Sequence, residues 1–241
     1  MKKLIAFEQD FGEAVLVSKE AKTFFRHWRK AAAGNSGSWA AIRAASFTLS
    51  GKQHSGSKLI SRLRKQLIAT QGGRCCYCRN PLDGIAYAQP IEHILPRHAY
   101  GQYTFSYRNL AVACFICNHV KAKDNWSTWP AGRNKYISKK SCEGFFHARL
   151  HDYHEHVRYF RLETNDVSIN IYTGLTPQGR HLCEDLLRRS AQRRMAMRAN
   201  PRLSSAMDRL HLQIDRLEEA EEHPALMAFM QLLGAAADPV S

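Results

Sequence analysis

Cys75-Cys76-Tyr77-Cys78, Ile91-Glu92-His93-Ile94-Leu95-Pro96, Arg108-Asn109-Leu110 and Cys114-Phe115-Ile116-Cys117-Asn118-His119-Val120-Lys121 decide the reading of this chain. Cys75 with Cys78 and Cys114 with Cys117 form two Cys-x-x-Cys pairs. Together they supply four thiolates, the number a closed tetrahedral zinc site takes. Each pair folds as a tight knuckle, and a shared metal ties two distant segments together. The 35 residues between Cys78 and Cys114 are more than a simple zinc ribbon uses, so a function is expected between the knuckles. Cys76 reads as a bystander. Cys142 and Cys183 lack paired spacing and read as core cysteines.

The residues between the knuckles suit phosphodiester hydrolysis. That reaction needs an activated water and a cation to neutralise charge on the phosphate and the leaving oxygen. An imidazole with an ordinary pKa of roughly 6.5 can take the proton, which is the role expected of His93. Glu92 offers a carboxylate oxygen and Asn118 an amide oxygen, both suited to Mg²⁺ or Mn²⁺. In a strand, the adjacent residues Glu92 and His93 point to opposite faces. Lys121 lies one turn after Asn118 on the same helix face, where it would touch phosphate or face solvent.

Acid-His-x-x-Pro, Asn-Leu and Cys-x-x-Cys-Asn-x-x-Lys, in this order, resemble the HNH endonucleases. The resemblance covers residues 74–124. It implies an α+β chain with a ββα-metal nuclease core and zinc knuckles, embedded in mostly helical surroundings. It also implies that His93 is the general base, that Glu92 and Asn118 bind the catalytic metal, and that Asn109 fixes the His93 strand by bonding backbone. The third signature residue of the family is often His; here it is Asn118, a family variant that keeps an oxygen ligand. His119 is one register off. Arg97, His98 and Tyr103 follow the strand and are secondary candidates for substrate contact.

The charge agrees with a polyanionic partner. Thirty-five Lys and Arg against 21 Asp and Glu give a net charge of +14. Residues 1–70, 71–135 and 136–202 carry +9, +5 and +5, and residues 203–241 carry −5. A cationic body favours nucleic acid. DNA is the expected substrate, with RNA kept open. No apolar run approaches the roughly 18 residues that span a bilayer, so the expectation is a soluble cytoplasmic protein whose cysteines are ligands or free thiols.

Four segments are expected: a basic helical region (1–73), the nuclease core (74–124), an accessory region with a hairpin and a basic helix (125–202), and an acidic helical end (203–241). Helices are predicted over 18–33, 57–70, 176–197 and 203–217 from their apolar spacing, two strands over 156–172, and a loop over 50–57. The helix over 176–197 has an arginine-rich face (Arg188, Arg189, Arg193, Arg194) expected to meet phosphate. His147, His151, His154 and His156 read as packed in the core or solvated at the surface, and Trp126 and Trp129 as core filling. The run from Phe145 to Arg180 loosely resembles the tail of stand-alone HNH proteins of bacterial anti-phage systems, Septu-type and retron-associated. That likeness implies a defence role beside an ATPase or another partner protein. The competing reading is a non-catalytic zinc-knuckle binding or adaptor subunit.

Overall fold

The computed structural model describes residues 38–49, 51–82, 89–131, 135–163 and 168–197, together with Thr23, His27, Trp28 and Lys30. Those four are helical, in agreement with the helix predicted there. The rest of the stretch 18–33, and all of 203–217, lie outside the described residues. The chain divides into two compact units, residues 1–160 with 172–190 and residues 161–171 with 191–241. Among the described residues no helix is long and apolar enough to cross a membrane.

Helix α1 (Ser38–Ala44) leads into a hairpin of β1 (Ser46–Leu49) and β2 (Lys52–Ser55), paired antiparallel from Ser46↔Ser55 to Leu49↔Lys52. The sequence predicted a loop over 50–57. Lys52-Gln53-His54-Ser55 has no apolar alternation, so pairing rather than burial makes it a strand. Gly51 turns the chain at φ +74°, which favours glycine.

Helix α2 (Gly56–Thr70) matches its prediction. Ser55 caps it by accepting from the Lys58 N–H at 3.3 Å. Leu59, Ile60, Leu63 and Leu67 are buried along one face. Truncating one of these leucines to alanine would cost about 2–5 kcal/mol. A Cβ on Gly56 would meet the Ile42 carbonyl, so glycine lets α2 start against α1. Just beyond the helix, the Gln71 amide pairs with both backbone groups of Val112, at 2.9 and 2.7 Å. That side chain continues the hydrogen bonding of the next sheet and fastens α2 to it.

The central motif is β3 (Ile91–His93), β4 (Leu110–Val112) and α3 (Phe115–Lys121). The strands are antiparallel, with Ile91↔Val112, Glu92↔Ala111 and His93↔Leu110 in register. This is the expected ββα order. The loop between the strands is held by a cluster of Leu95, Tyr100, Tyr103, Ile137, Cys142 and Phe145, against which Trp126 and Trp129 pack. Both tryptophans pack half-buried against this cluster, and Cys142 and Cys183 are buried, as expected.

A short helix α4 (Tyr153–His156) precedes β5 (Val157–Glu163) and β6 (Ser168–Gly174), which pair as the predicted two-stranded sheet. The Tyr172 hydroxyl donates to the Cys78 carbonyl at 3.0 Å and ties β6 to the first knuckle. The helix predicted over 176–197 is observed as α5 (Pro177–Leu182), a π-helical turn (Cys183–Leu187) and α6 (Arg188–Met197). On its arginine-rich face Arg189 is exposed and lies 3.8 Å from Asp124; the side chains of Arg193 and Arg194 lie outside the described residues.

Candidate active site and metal centre

The two knuckles converge. The sulfurs of Cys75, Cys78, Cys114 and Cys117 all lie within 4.8 Å of one another. Cys78 and Cys114 are 3.7 Å apart, close to the edge of a tetrahedron with Zn–S bonds of about 2.3 Å. The Cys114 N–H points at Cys75 Sγ (3.2 Å), and Arg79 turns the first knuckle with φ +57°. The four cysteines can therefore form a zinc site. Against its burial, sulfur hydrogen bonds led by that from Cys114 pull the Cys75 thiol well down. Burial, then the adjacent Cys75, push Cys76 well up. Cys76 stays a neutral thiol outside the cluster, as expected.

His93 ends β3 in a half-buried position. Its Nε2 lies 3.0 Å from the Thr104 carbonyl. A carbonyl can only accept, so Nε2 carries the proton and Nδ1 keeps its lone pair in the neutral ring. Burial first, then the Arg97 charge, lower its pKa to about 3, partly offset by the Thr104 carbonyl. The ring is neutral at physiological pH. Trp39 from α1 stands edge-on to it, with centroids 4.7 Å apart and planes at 89°. Nothing in the sequence around Trp39 pointed to this contact.

Asn109 is fully buried. Its Oδ1 accepts from the Leu95 N–H at 2.8 Å, and its Nδ2 donates to the carbonyls of Leu95 (3.0 Å) and Tyr103 (3.2 Å). These bonds clamp both ends of the loop that presents the Thr104 carbonyl to His93.

Glu92 and Lys121 differ from expectation. Glu92 stays on the opposite face of β3 from His93 and is 4% exposed. Its Oε1 lies 2.8 Å from Lys121 Nζ and accepts from the Tyr77 hydroxyl at 3.2 Å. Lys121 neither faces solvent nor is open to a phosphate: it is 1% exposed, with its ammonium 5.1 Å from the Trp126 ring centre. The physical reason is pairing, because a buried carboxylate needs a nearby cation. Asn118 is half-buried one turn earlier on α3. The donor types of Glu92 and Asn118 fit a hard cation, yet the Glu92 charge is already neutralised by Lys121. A ready cation site is therefore not assembled in this arrangement.

Residues 75–124 match the HNH endonuclease family model. No curated protein and no solved structure matches the chain. The HNH domain suggests nuclease activity on a nucleic acid, and nucleases of this family are metal-dependent. Around the HNH domain the secondary candidates separate. Tyr103 is buried and donates to the Lys135 carbonyl at 2.7 Å, so it holds the fold. His98 is exposed. His119 is exposed and stacks on Phe115. His147, His151 and His156 are buried and pack as expected.

Proposed function

We propose that this protein is a metal-dependent HNH endonuclease that hydrolyses phosphodiester bonds of DNA. The observation that carries this reading is the His93 ring at the end of β3, with Nε2–H held by the Thr104 carbonyl and the Nδ1 lone pair left free of that bond. His93 Nδ1 takes the proton of the attacking water. Asn109 is a positioning residue that holds the loop bearing Thr104. Glu92 and Asn118 carry the oxygen donors that would hold a catalytic Mg²⁺ or Mn²⁺ if the Glu92 carboxylate were released from its pair with Lys121. When bound, such an ion neutralises charge on the phosphate and leaving oxygen. The four cysteines hold structural Zn²⁺. The net charge of +14 supports a polyanionic substrate. The setting we infer, from the likeness of residues 145–180 to anti-phage HNH proteins, is cytoplasmic defence beside an ATPase or similar partner.

The internal Glu92–Lys121 pair favours a second reading, a zinc-knuckle nucleic-acid-binding or adaptor subunit without catalysis. Purified protein with plasmid DNA and Mg²⁺ or Mn²⁺ separates the two. A nuclease cuts, and His93→Ala, folded and still binding, loses about 10²–10⁴-fold in rate, as expected for removal of a general base. Binding without cutting by the wild type supports the second reading, and wild-type turnover by His93→Ala removes the role of that residue. A parallel RNA substrate tests the choice of DNA.

A further inference from the structure

A cleft of about 430 Å³ lies between α1, α2 and the start of β3. Trp39 and Arg43 of α1, Ile60 and Arg64 of α2, and Pro90 and Ile91 line it. Ile91 is two residues before His93, so the cleft opens on the His93 face of the strand. Trp39 is shared: the ring that walls the cleft is the ring that stands against His93. Except for Ile91, these residues lie outside the family-matched segment 75–124 or bear none of its motifs.

The charge in this cleft is unbalanced. Neither Arg43 nor Arg64 forms an ion pair or hydrogen bond with a described residue, and Arg64 Nε is buried with no partner. Burial, then the positive charge of Arg43, lower the Arg64 pKa, so the two guanidinium groups repel. Two like charges held together, with no carboxylate paired to either among the described residues, favour an anion that joins them. A guanidinium fork matches phosphate oxygens in pairs, and Nε–H is one of the donors it uses.

We propose that the Trp39–Arg43–Arg64 cleft binds a backbone phosphate of the polynucleotide, flanking the bond hydrolysed beside His93. This rests on the nuclease reading for the position of the cut. A phosphodiester is common to DNA and RNA, and the probe distinguishes them.

The test uses the full chain without added Mg²⁺ or Mn²⁺, so that binding is read without cleavage. A short labelled DNA duplex, and the RNA duplex of the same sequence, are titrated by fluorescence polarisation against wild type, Arg43→Gln, Arg64→Gln and the control Lys139→Gln. Lys139 is exposed and already paired with Glu155. Each cleft variant should weaken binding about 10-fold, as for loss of a charged hydrogen bond, whatever the base sequence. Each should also lower the slope of log affinity against log salt by about one. The control should change affinity by no more than about twofold, as exposed pairs do. The melting temperature of Arg64→Gln, measured without nucleic acid, should stay level or rise, because a repulsion is removed.

Unchanged affinity and slope in both cleft variants overturn the proposal. So does an equal loss in Lys139→Gln, which would mark a general charge effect. Wild-type cleavage with Mn²⁺ at a KM shared by Arg64→Gln removes the cleft while leaving the nuclease standing. Absence of both binding and cleavage in the wild type removes both.

Discussion

The Tyr136 hydroxyl lies 3.0 Å from Asn109 Oδ1 and 2.8 Å from His147 Nε2. The direction of these bonds follows from the next partner. The Arg149 N–H points at His147 Nδ1 at 3.2 Å, so Nδ1 accepts. Burial first, then the nearby His151, lower the His147 pKa to about 3, so the ring is neutral. Nε2 then carries the proton and donates to Tyr136. The Tyr136 proton is left for Asn109 Oδ1, with the Arg108 carbonyl sharing it at 3.2 Å. A chain of oriented bonds thus runs from residues beyond the HNH domain into the clamp behind His93.

Tyr136→Phe removes that end of the chain while keeping the ring. The fold should lose about 1 kcal/mol, the net worth of a hydrogen bond. If the chain positions the Thr104 carbonyl against His93, kcat on DNA should fall about 10-fold, equivalent to roughly 1.4 kcal/mol of barrier, with KM unchanged. A variant with full kcat and only a lower melting temperature would reduce Tyr136 to a packing residue.

Lys121→Met tests what neutralises Glu92. Removing one member of a buried pair typically costs about 3–5 kcal/mol, because the other charge is left alone. The variant should be destabilised by an amount of that order without divalent cation. If Mn²⁺ takes the place of the ammonium, added Mn²⁺ should restore part of the loss, and calorimetry should find tighter Mn²⁺ binding than in wild type. Equal Mn²⁺ affinity in both proteins would show that Lys121 and the ion do not share Glu92.

The cysteine cluster predicts about one zinc per chain by elemental analysis. Cys117→Ser and Cys75→Ser should lose the metal and unfold the knuckles, since binding free energy at such sites is folding free energy. Cys76→Ser should keep both metal and stability, because its thiol stands outside the four. Retention of zinc by Cys117→Ser, or loss of it in Cys76→Ser, would redraw the ligand set.

These relationships were legible in the sequence to different depths. Motif order and knuckle spacing led directly to the β3–β4–α3 core and to Asn109, because each of those residues serves a local backbone need. Apolar spacing located α2. The β1–β2 hairpin was not legible, since its second strand is polar and held only by pairing. Glu92 read as a metal ligand and Lys121 as a phosphate contact or a solvated charge, because nothing local reveals that they meet across 28 intervening residues. Trp39, Tyr136 and His147 act through contacts from distant segments, and a single aromatic or histidine leaves no periodic trace. The resemblance marked the chemistry between the knuckles, while its supports come from either side.

His147 also makes the fold sensitive to acid. Its pKa in the folded protein, about 3, lies below the ordinary 6.5. As pH falls, the unfolded chain takes up a proton first, so the stability His147 contributes is complete above about pH 6.5 and is lost progressively toward pH 3. At pH 5 the loss from this residue alone is about 2 kcal/mol. His151, held at about 4 by burial and His156, adds in the same direction. His147→Gln keeps an N–H for Tyr136 but does not titrate. Denaturant unfolding from pH 7.5 to 4.5 should therefore give a shallower decline for His147→Gln than for wild type, even if the variant is less stable at neutral pH. Parallel curves for the two proteins would mean that His147 is not held neutral in the interior, and the assigned direction of the Tyr136–Asn109 bond would fall with it.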